Sequence, residues 1–304
     1  MKLSMQSGDL PLQFGIERGY ALIREAGFDG IDWSLDHAIE PSKVHKLDYR
    51  GNCLFERSLD EILDYYGPSL KAIRENDLTI CQAHSFFPSY VSGHSEVLEW
   101  SVPMHIRGLE FCEAVGVPYF VIHGIASEDK DEKDRLNMEL YMLLAEYLRD
   151  KHVTVCLENL FTHNDLGFHE GVCCDPMETV DYIDQLNTVA GRTAFALCLD
   201  TGHMNLFKRP VGDYVHKVGN RIGCTHIHDN HGNHDSHMAP LTGSFPWEEW
   251  ISAMRDTGYD HDLSFETFAQ TNRLYRVDPD LVLPCLKMIR HIGESIRKQL
   301  EVSN

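Results

Sequence analysis

The sequence predicts an α/β protein that folds as a single (β/α)₈ barrel spanning residues 1–304. Three observations point to this fold class. Short runs rich in apolar and β-branched residues alternate with stretches of helical periodicity along the whole length. The runs number eight, which is the number of parallel strands that closes such a barrel. The length of 304 residues also suits one barrel, which typically takes about 250 residues or more.

The predicted elements follow one another in a regular order. Between the fourth and fifth strands, apolar residues from Leu136 to Leu148 recur with helical spacing and form one stripe. Gly27, Gly116 and Gly258 precede the second, fourth and eighth strands and are predicted helix C-caps. Repeated β/α units imply parallel strands with right-handed crossovers. The predicted strands are Lys2–Gln6, Gly30–Leu35, Thr79–His84, Tyr119–Gly124, Thr154–Asn159, Phe195–His203, Ile222–Asp229 and Asp262–Thr267.

An open, doubly wound sheet is the alternative architecture. That fold usually carries a Gly-rich phosphate loop after its first strand, and the segment SGDLPLQFG is not one. Three long stretches without periodicity, Glu40–Phe55, Thr162–Pro176 and Asn230–Phe245, follow strands. They are predicted to be substrate loops or lids, because barrels place their active sites on that face.

The charge of the chain limits its partners. It has 47 acidic and 27 basic residues, for a formal net charge of −20. A protein that grips nucleic acid or an anionic membrane surface is expected to carry a basic face instead. We therefore expect a small-molecule partner, with no nucleic acid and no membrane, and the sequence is compatible with a homo-oligomer.

The cysteines bear on localisation. There are nine, none in a CxxC motif, and several lie within apolar runs. This pattern is typical of buried free thiols in a reducing compartment. The N-terminus has no apolar signal-peptide core, and no run of 18 apolar residues occurs. The expectation is a soluble, cytoplasmic protein.

The predicted strands end in side chains that bind metal ions. In a barrel these ends converge, so several carboxylates and imidazoles would meet without a Lys or Arg at matching positions. Clustered, unpaired carboxylates repel one another, and a divalent cation removes the repulsion. A ligand set without thiolate suits Mn²⁺, Zn²⁺, Co²⁺, Fe²⁺ or Mg²⁺. The residues are His84, His123, Glu158, Asp200, His203, His226, His228, Asp229 and Glu266, with Asp235 and His237 in the loop after the seventh strand.

Four motifs carry a resemblance to a known family. They are LEN at the end of strand five, LDTGH in strand six, HIHDNHG with the following DSH around strand seven, and SFET in strand eight. Together they resemble the xylose-isomerase-like TIM barrel superfamily of sugar isomerases and epimerases, which also contains endonuclease IV. The resemblance covers nearly the whole chain.

The resemblance implies specific roles. Ketose 3-epimerases of this family hold one metal ion, and the matching ligands here are Glu158, Asp200, His226 and Glu266. Glu158 and Glu266 would also be the catalytic acid and base on opposite faces of the substrate, with His203 positioning an oxygen. Endonuclease IV has a three-metal version of the site. The residues that match its additional ligands, for further metal or for substrate, are His84, His123, His203, Asp235 and His237.

The leading function is therefore a divalent-metal-dependent sugar or sugar phosphate isomerase or epimerase that acts through an enediolate. The cofactor expected is a divalent metal ion. Alternatives are an inosose-type dehydratase, an endonuclease IV-like phosphodiesterase and a non-catalytic metal-binding scaffold. Arg273 and Arg276 follow strand eight and could receive a phosphate, so sugar and sugar phosphate both stay open. Trp33, Phe86, Phe87, Phe161, Phe168 and Trp247 are candidates to pack against a sugar face.

Overall fold

The computed structural model describes residues 1–164 and 167–301. Eight parallel strands form one sheet, and six of them agree with the predicted strands to within two residues at each end. Asp165 and Leu166, in the predicted loop Thr162–Pro176, lie outside the described residues. The barrel strands are β1 Leu3–Gln6, β2 Gly30–Ser34, β3 Thr79–His84, β4 Tyr119–Ile122, β5 Thr154–Glu158, β8 Phe195–Asp200, β9 Ile222–His226 and β10 Leu263–Phe265, and an antiparallel pair, β6 Phe161–Asn164 and β7 Gly167–Glu170, follows β5.

The sheet closes into a barrel. Its strands lie in the order β10, β1, β2, β3, β4, β5, β8, β9, and every pairing is parallel. Ile227, directly after β9, forms a parallel bridge with Phe265 of β10 and joins the two ends of the sheet. The predicted barrel is therefore confirmed, and all carboxyl ends of its strands open on one face.

Helices surround the barrel. The α4 helix begins with a capping box in which Ser58 and Glu61 satisfy each other's backbone N–H groups. The α2 and α5 helices end at Gly27 and Gly116, both left-handed, as predicted. The helices are α1 Leu10–Phe14, α2 Ile16–Ala26, α3 Pro41–His45, α4 Leu59–Glu75, α5 Ser95–Val115, α6 Lys130–Tyr147, α7 Pro176–Ala190, α8 Thr201–Phe207, α9 Val211–Val218, α10 Trp247–Asp256, α11 Phe268–Val277 and α12 Val282–Leu300. Among the described residues, no helix combines the length and apolar character needed to cross a membrane.

The sixth predicted strand, Phe195–His203, is wrong at its end. The strand stops at Asp200, whose Oδ1 accepts a hydrogen bond of 2.6 Å from the backbone N–H of His203. Asp200 therefore caps α8, and His203 lies in the first turn of that helix. The seventh predicted strand likewise stops at His226, three residues before Asp229.

Two of the three predicted loops contain regular structure. The segment Thr162–Pro176 includes most of the β6–β7 hairpin, and Glu40–Phe55 includes α3. The segment 230–245 is irregular and is held by the buried Asp229. The carboxylate of Asp229 accepts hydrogen bonds from the backbone N–H groups of Asn230, Gly243 and Phe245 and from the Trp247 indole, at 2.8–3.2 Å.

The cysteines are free and buried, as predicted. Cys156, Cys198 and Cys224 pack with Val121 and Ala196 inside the barrel. They fill the interior behind the strand ends, and burial raises the pKa of each of the three thiols well above its ordinary value. Neutral thiols of this kind serve as core packing and not as ligands.

Candidate metal centre

The mouth of the barrel gathers ten of the eleven predicted ligand residues at one place. The exception is Asp229, whose carboxylate anchors the segment 230–245 instead. Four groups have potential ligand atoms that lie within 4.8 Å of one another. Three of the groups are joined through Glu158 or Asp200, and the fourth is joined to them through His228, so all four form one continuous cluster. The groups are Glu158, Asp200, His226 and Glu266; His84, His123 and Glu158; Asp200, His203 and His228; and His228, Asp235 and His237.

The central group consists of Glu158, Asp200, His226 and Glu266, each at most 6% exposed. Three of them end β5, β8 and β9, and Glu266 follows β10 directly. The Nδ1 atom of His226 lies 3.0 Å from Glu158 Oε1, 3.5 Å from Glu266 Oε2 and 3.9 Å from Asp200 Oδ2. Three carboxylates thus converge on one imidazole nitrogen, with no Lys or Arg ion pair to any of them among the described residues.

The second group lies on the other side of Glu158. The Nε2 atoms of His84 and His123 are 3.1 Å apart. They lie 3.5 Å and 2.9 Å from Glu158 Oε2. That oxygen is buried and has no partner in hydrogen-bond geometry among the described residues. A buried carboxylate oxygen that faces two ring nitrogens without a well-formed hydrogen bond fits a cation ligand better than a structural ion pair.

The third region surrounds Asp235, in the loop after β9. Its Oδ2 atom lies 3.0 Å from His237 Nε2 and 3.5 Å from His203 Nε2. His228 stacks on His237 with ring centroids 4.0 Å apart, and its Nε2 lies 3.0 Å from Asp200 Oδ2. This region therefore joins the central group through Asp200.

Each of four imidazoles is fixed through one ring nitrogen. His84, His203 and His237 each have Nδ1 at 2.7–3.1 Å from a backbone carbonyl, those of Ser85, Asn159 and Glu266. His226 instead has Nε2 at 3.0 Å from the buried carboxylate of Asp32. In each ring, one nitrogen donates its N–H to this acceptor. The other nitrogen then faces the clustered carboxylates. This is the orientation that metal-binding histidines adopt in proteins.

The charges in the cluster are strongly coupled. Burial favours the neutral form of Glu158, but the imidazoles of His226 and His123 outweigh it and hold the pKa of this carboxyl well below its usual range. Burial also opposes protonation of His84, yet its contact with Glu158 raises the pKa of His84 to about 9. The same balance, with Glu266 as the opposing charge, raises the pKa of His237 to about 9. A divalent cation competes for the positions that these protons hold, so the donor set fits such an ion.

Two contributing residues were not singled out as site residues from the sequence. Asp32 lies in β2, and its Oδ2 contacts both His226 and the side-chain amide of Gln82. An acidic residue inside the apolar strand GIDWS was the available signal. Gln6, at the end of β1, donates from Nε2 to Glu266 Oε1 at 3.1 Å.

A cavity of about 870 Å³ opens above the cluster. Glu158 and Glu266 both line it, together with His84, His123, His203, Asp235 and His237. No Lys or Arg side chain lines this cavity in the described part of the chain. Arg273 and Arg276, which could have received a phosphate, are exposed on α11 and do not line this cavity.

Two of the six aromatic candidates line the cavity. Phe87 stacks on His123 at 4.5 Å between ring centroids, and Phe161 contacts His203 at 5.0 Å. Phe268, which was not a candidate, also lines the cavity and packs on His237. The other four candidates, Trp33, Phe86, Phe168 and Trp247, are not part of the cavity wall.

Comparison with known proteins places this architecture in a family. A family model described as xylose isomerase-like TIM barrel matches residues 20–285. L-ribulose 3-epimerase from Methylomonas sp. (strain DH-1) is 23% identical over 275 residues, covering 88% of this chain and 82% of that protein. A solved structure of L-ribulose 3-epimerase gives a TM-score of 0.69 at 20% identity, covering 99% of this chain and 97% of that chain.

A second solved structure is similar in fold and contains a metal ion. It is the IOLI protein with a bound zinc atom, which gives a TM-score of 0.65 at 18% identity and covers 99% of this chain and 100% of that chain. The family model covers most of the barrel, from α2 to α12. The chain therefore belongs to the xylose isomerase-like TIM barrel family.

Proposed function

We propose that the protein is a divalent-metal-dependent isomerase or epimerase of a sugar or sugar derivative. The observation that carries the proposal is the set of four imidazoles, each fixed on one side and aimed at shared carboxylates on the other. The epimerase activity named for a relative that covers most of this chain supports the reaction class. The large cavity directly above Glu158 and Glu266 supports a small-molecule substrate.

In this proposal, Glu158, Asp200, His226 and Glu266 hold the principal cation. The sets around His84 and His123 and around Asp235 and His237 are positions for further cations or for substrate oxygens. The donors are carboxylate and imidazole only, which suits Mn²⁺, Zn²⁺, Co²⁺ or Mg²⁺. The zinc-containing structural neighbour is compatible with this choice.

The reaction requires removal of a proton from a carbon next to a carbonyl group. A divalent ion, when bound, supplies Lewis-acid polarisation of that carbonyl. Glu158 and Glu266 approach His226 from β5 and from the end of β10, and both reach the cavity. One carboxylate removes the proton and the other returns it from the opposite face, which inverts the carbon. Gln6 holds Glu266 through Oε1, and His203 is placed to position a substrate oxygen.

The cavity chemistry favours an unphosphorylated substrate. A phosphate group is normally held by Arg, Lys or the N-terminus of a helix. The described wall of the cavity offers carboxylates, imidazoles, hydroxyls and aromatic rings, with no Lys or Arg side chain among them. We therefore favour a free sugar over a sugar phosphate.

The decisive experiment is solvent-deuterium incorporation in D₂O with a panel of pentoses, hexoses, their ketoses and inososes. Glu266→Gln preserves shape and one ligand oxygen but removes the base, so turnover and exchange should fall at least ~10²-fold while metal occupancy is retained. Glu158→Gln should behave alike. Glu99→Gln, at an exposed glutamate of α5 outside the cavity, is the matched control. Full activity of either cluster variant would show that the replaced glutamate is not the acid or base and serves at most as a ligand.

Metal content separates the ligand assignments. Elemental analysis of the purified protein should give at least one divalent ion per chain, and Asp200→Ala should lose it. His84→Ala and Asp235→Ala test the two neighbouring sets, because each should lower the metal count only if its own set holds an ion. A protein that contains no divalent metal after reconstitution with Mn²⁺, Zn²⁺, Co²⁺ and Mg²⁺ would contradict the proposal.

A further inference from the structure

The cavity is much larger than a single sugar ring requires. Its volume is about 870 Å³. One water takes up about 30 Å³ in the liquid, so the roughly twelve non-hydrogen atoms of a hexose occupy at most about 360 Å³ even at that loose density. The roughly 23 non-hydrogen atoms of a disaccharide reach at most about 690 Å³ on the same basis. A ring at the metal centre therefore leaves more than half of the cavity for a further group.

The remaining space lies over a different part of the barrel. The four central ligands come from the ends of β5, β8, β9 and β10. The outer wall of the cavity comes mainly from segments after β1, β2 and β3. It includes Asp9, Asp36, His37 and His45, together with the segment 87–92. A substrate bound at the cluster would extend across the mouth toward these loops.

The outer wall has free hydrogen-bonding capacity. Asp36 makes no hydrogen bond or ion pair with any described residue, and its Oδ1 is buried. His45, at the end of α3, is exposed and lines the same wall. Buried polar atoms in a folded protein normally have partners. An unpartnered carboxylate in a cavity wall is therefore a natural acceptor for ligand hydroxyl groups.

The aromatic residues of the wall suit sugar rings. Phe87 and Phe268 flank the cluster, packed on His123 and His237. Tyr90, three residues after Phe87 in the loop after β3, also lines the cavity. Aromatic faces pack against the C–H faces of a sugar, while carboxylates and imidazoles bind its hydroxyl groups. The absence of Lys and Arg from the described wall argues against an anionic group at this end.

We propose that the natural substrate is a glycoside, in which the ring that reacts at the metal cluster carries a second, neutral sugar unit held by Asp36, His45 and Tyr90. This inference rests on the proposed function, because it assigns the reacting ring to the cluster. It adds a second binding subsite and a substrate class to that function.

The test measures binding, so it does not depend on turnover. Metal-loaded protein is titrated calorimetrically with D-fructose and with three glucosyl-fructoses, maltulose, leucrose and isomaltulose, which join the same two sugars through different oxygens of fructose. At least one disaccharide should bind 10-fold or more tighter than D-fructose. Asp36→Ala should remove most of that difference, whereas Asp64→Ala, at an exposed carboxylate of α4 outside the cavity, should retain it.

The outcomes separate this inference from the proposed function. If no disaccharide binds more tightly than D-fructose, or if the gain persists in Asp36→Ala with its fold intact by circular dichroism, the second subsite is refuted. Deuterium exchange with any free ketose would then leave the isomerase proposal standing. Tight disaccharide binding without exchange by any member of the panel would support the subsite and refute the reaction class.

Discussion

Replacing Gly202 with alanine should damage the metal centre, although alanine normally favours a helix. Gly202 lies in the first turn of α8. A Cβ atom there would lie 1.9 Å from Cε1, 2.3 Å from Nδ1 and 2.6 Å from Nε2 of His228. Carbon atoms prefer separations of about 3.5–4.0 Å, so the ring would have to retreat by about 1.5 Å or more. His228 is fully buried and stacks on His237, so it has little room to do so.

The magnitude follows from two terms. Overpacking a buried site typically costs about 1–3 kcal/mol. A shift of this size also breaks the 3.0 Å contact between His228 Nε2 and Asp200 Oδ2. A hydrogen bond to a charged group contributes about 1.5–3 kcal/mol. We expect Gly202→Ala to lower the free energy of unfolding by about 3–5 kcal/mol. Because His228 contacts Asp200, one of the proposed ligands, affinity for the cation should fall about 10- to 100-fold.

Urea unfolding and a metal titration measure the two effects. Gly67→Ala is the matched control, because an alanine Cβ at Gly67, in the middle of α4, meets no atom within 4 Å. That change should leave stability unaltered or raise it by about 0.5–1 kcal/mol. A Gly202→Ala protein within about 0.5 kcal/mol of the wild type, the range expected of a neutral surface change, would refute the contact between Gly202 and His228.

Three further predictions test other parts of the site. Asp32→Asn keeps the shape of the acceptor to His226 but removes its charge, so cation affinity should fall about 10-fold or more, and an unchanged titration would contradict the role of Asp32. Asp229→Asn weakens the hydrogen bonds that hold segment 230–245 and should lower the free energy of unfolding by about 3 kcal/mol. Protease should cleave that segment faster in the variant. Equal cleavage rates in the variant and the wild type would contradict this role of Asp229. The protein should not bind or cleave abasic duplex DNA at physiological salt, because its net charge of −20 opposes the backbone. Specific incision that disappears in Asp235→Ala would instead favour the endonuclease IV-like alternative.

The barrel could be predicted because its signal is repeated. Every β/α unit has the same alternation of a short apolar run and a stretch of helical periodicity. An error in where one strand ends therefore does not change the number of strands predicted. The clustering of the candidate ligand residues could be predicted because strand ends meet in a closed barrel, so a side chain at the end of a strand lies at the mouth of the barrel. Glu158, Asp200, His226 and Glu266 come together for this reason.

The remaining errors arise where a side chain decides the local backbone. Asp200 ends its strand early because it caps α8. Without recognising that cap, the sequence LDTGH is predicted to continue the strand. Asp32 and Gln6 were missed because their roles depend on a contact with another strand. Asp32 meets His226 across a separation of 194 residues, which no local pattern reports.

Glu158 presents its two oxygens to different ligand groups, Oε1 to His226 and Oε2 to His84 and His123. An ion bound between Oε1 and His226 therefore withdraws electron density from Oε2, which faces His84 and His123, and the converse also holds. The two positions are thermodynamically linked, and by reciprocity each alters the affinity of the other by the same factor. Titration with a single metal should consequently not follow two independent isotherms, and loss of His84 should change the affinity measured at His226.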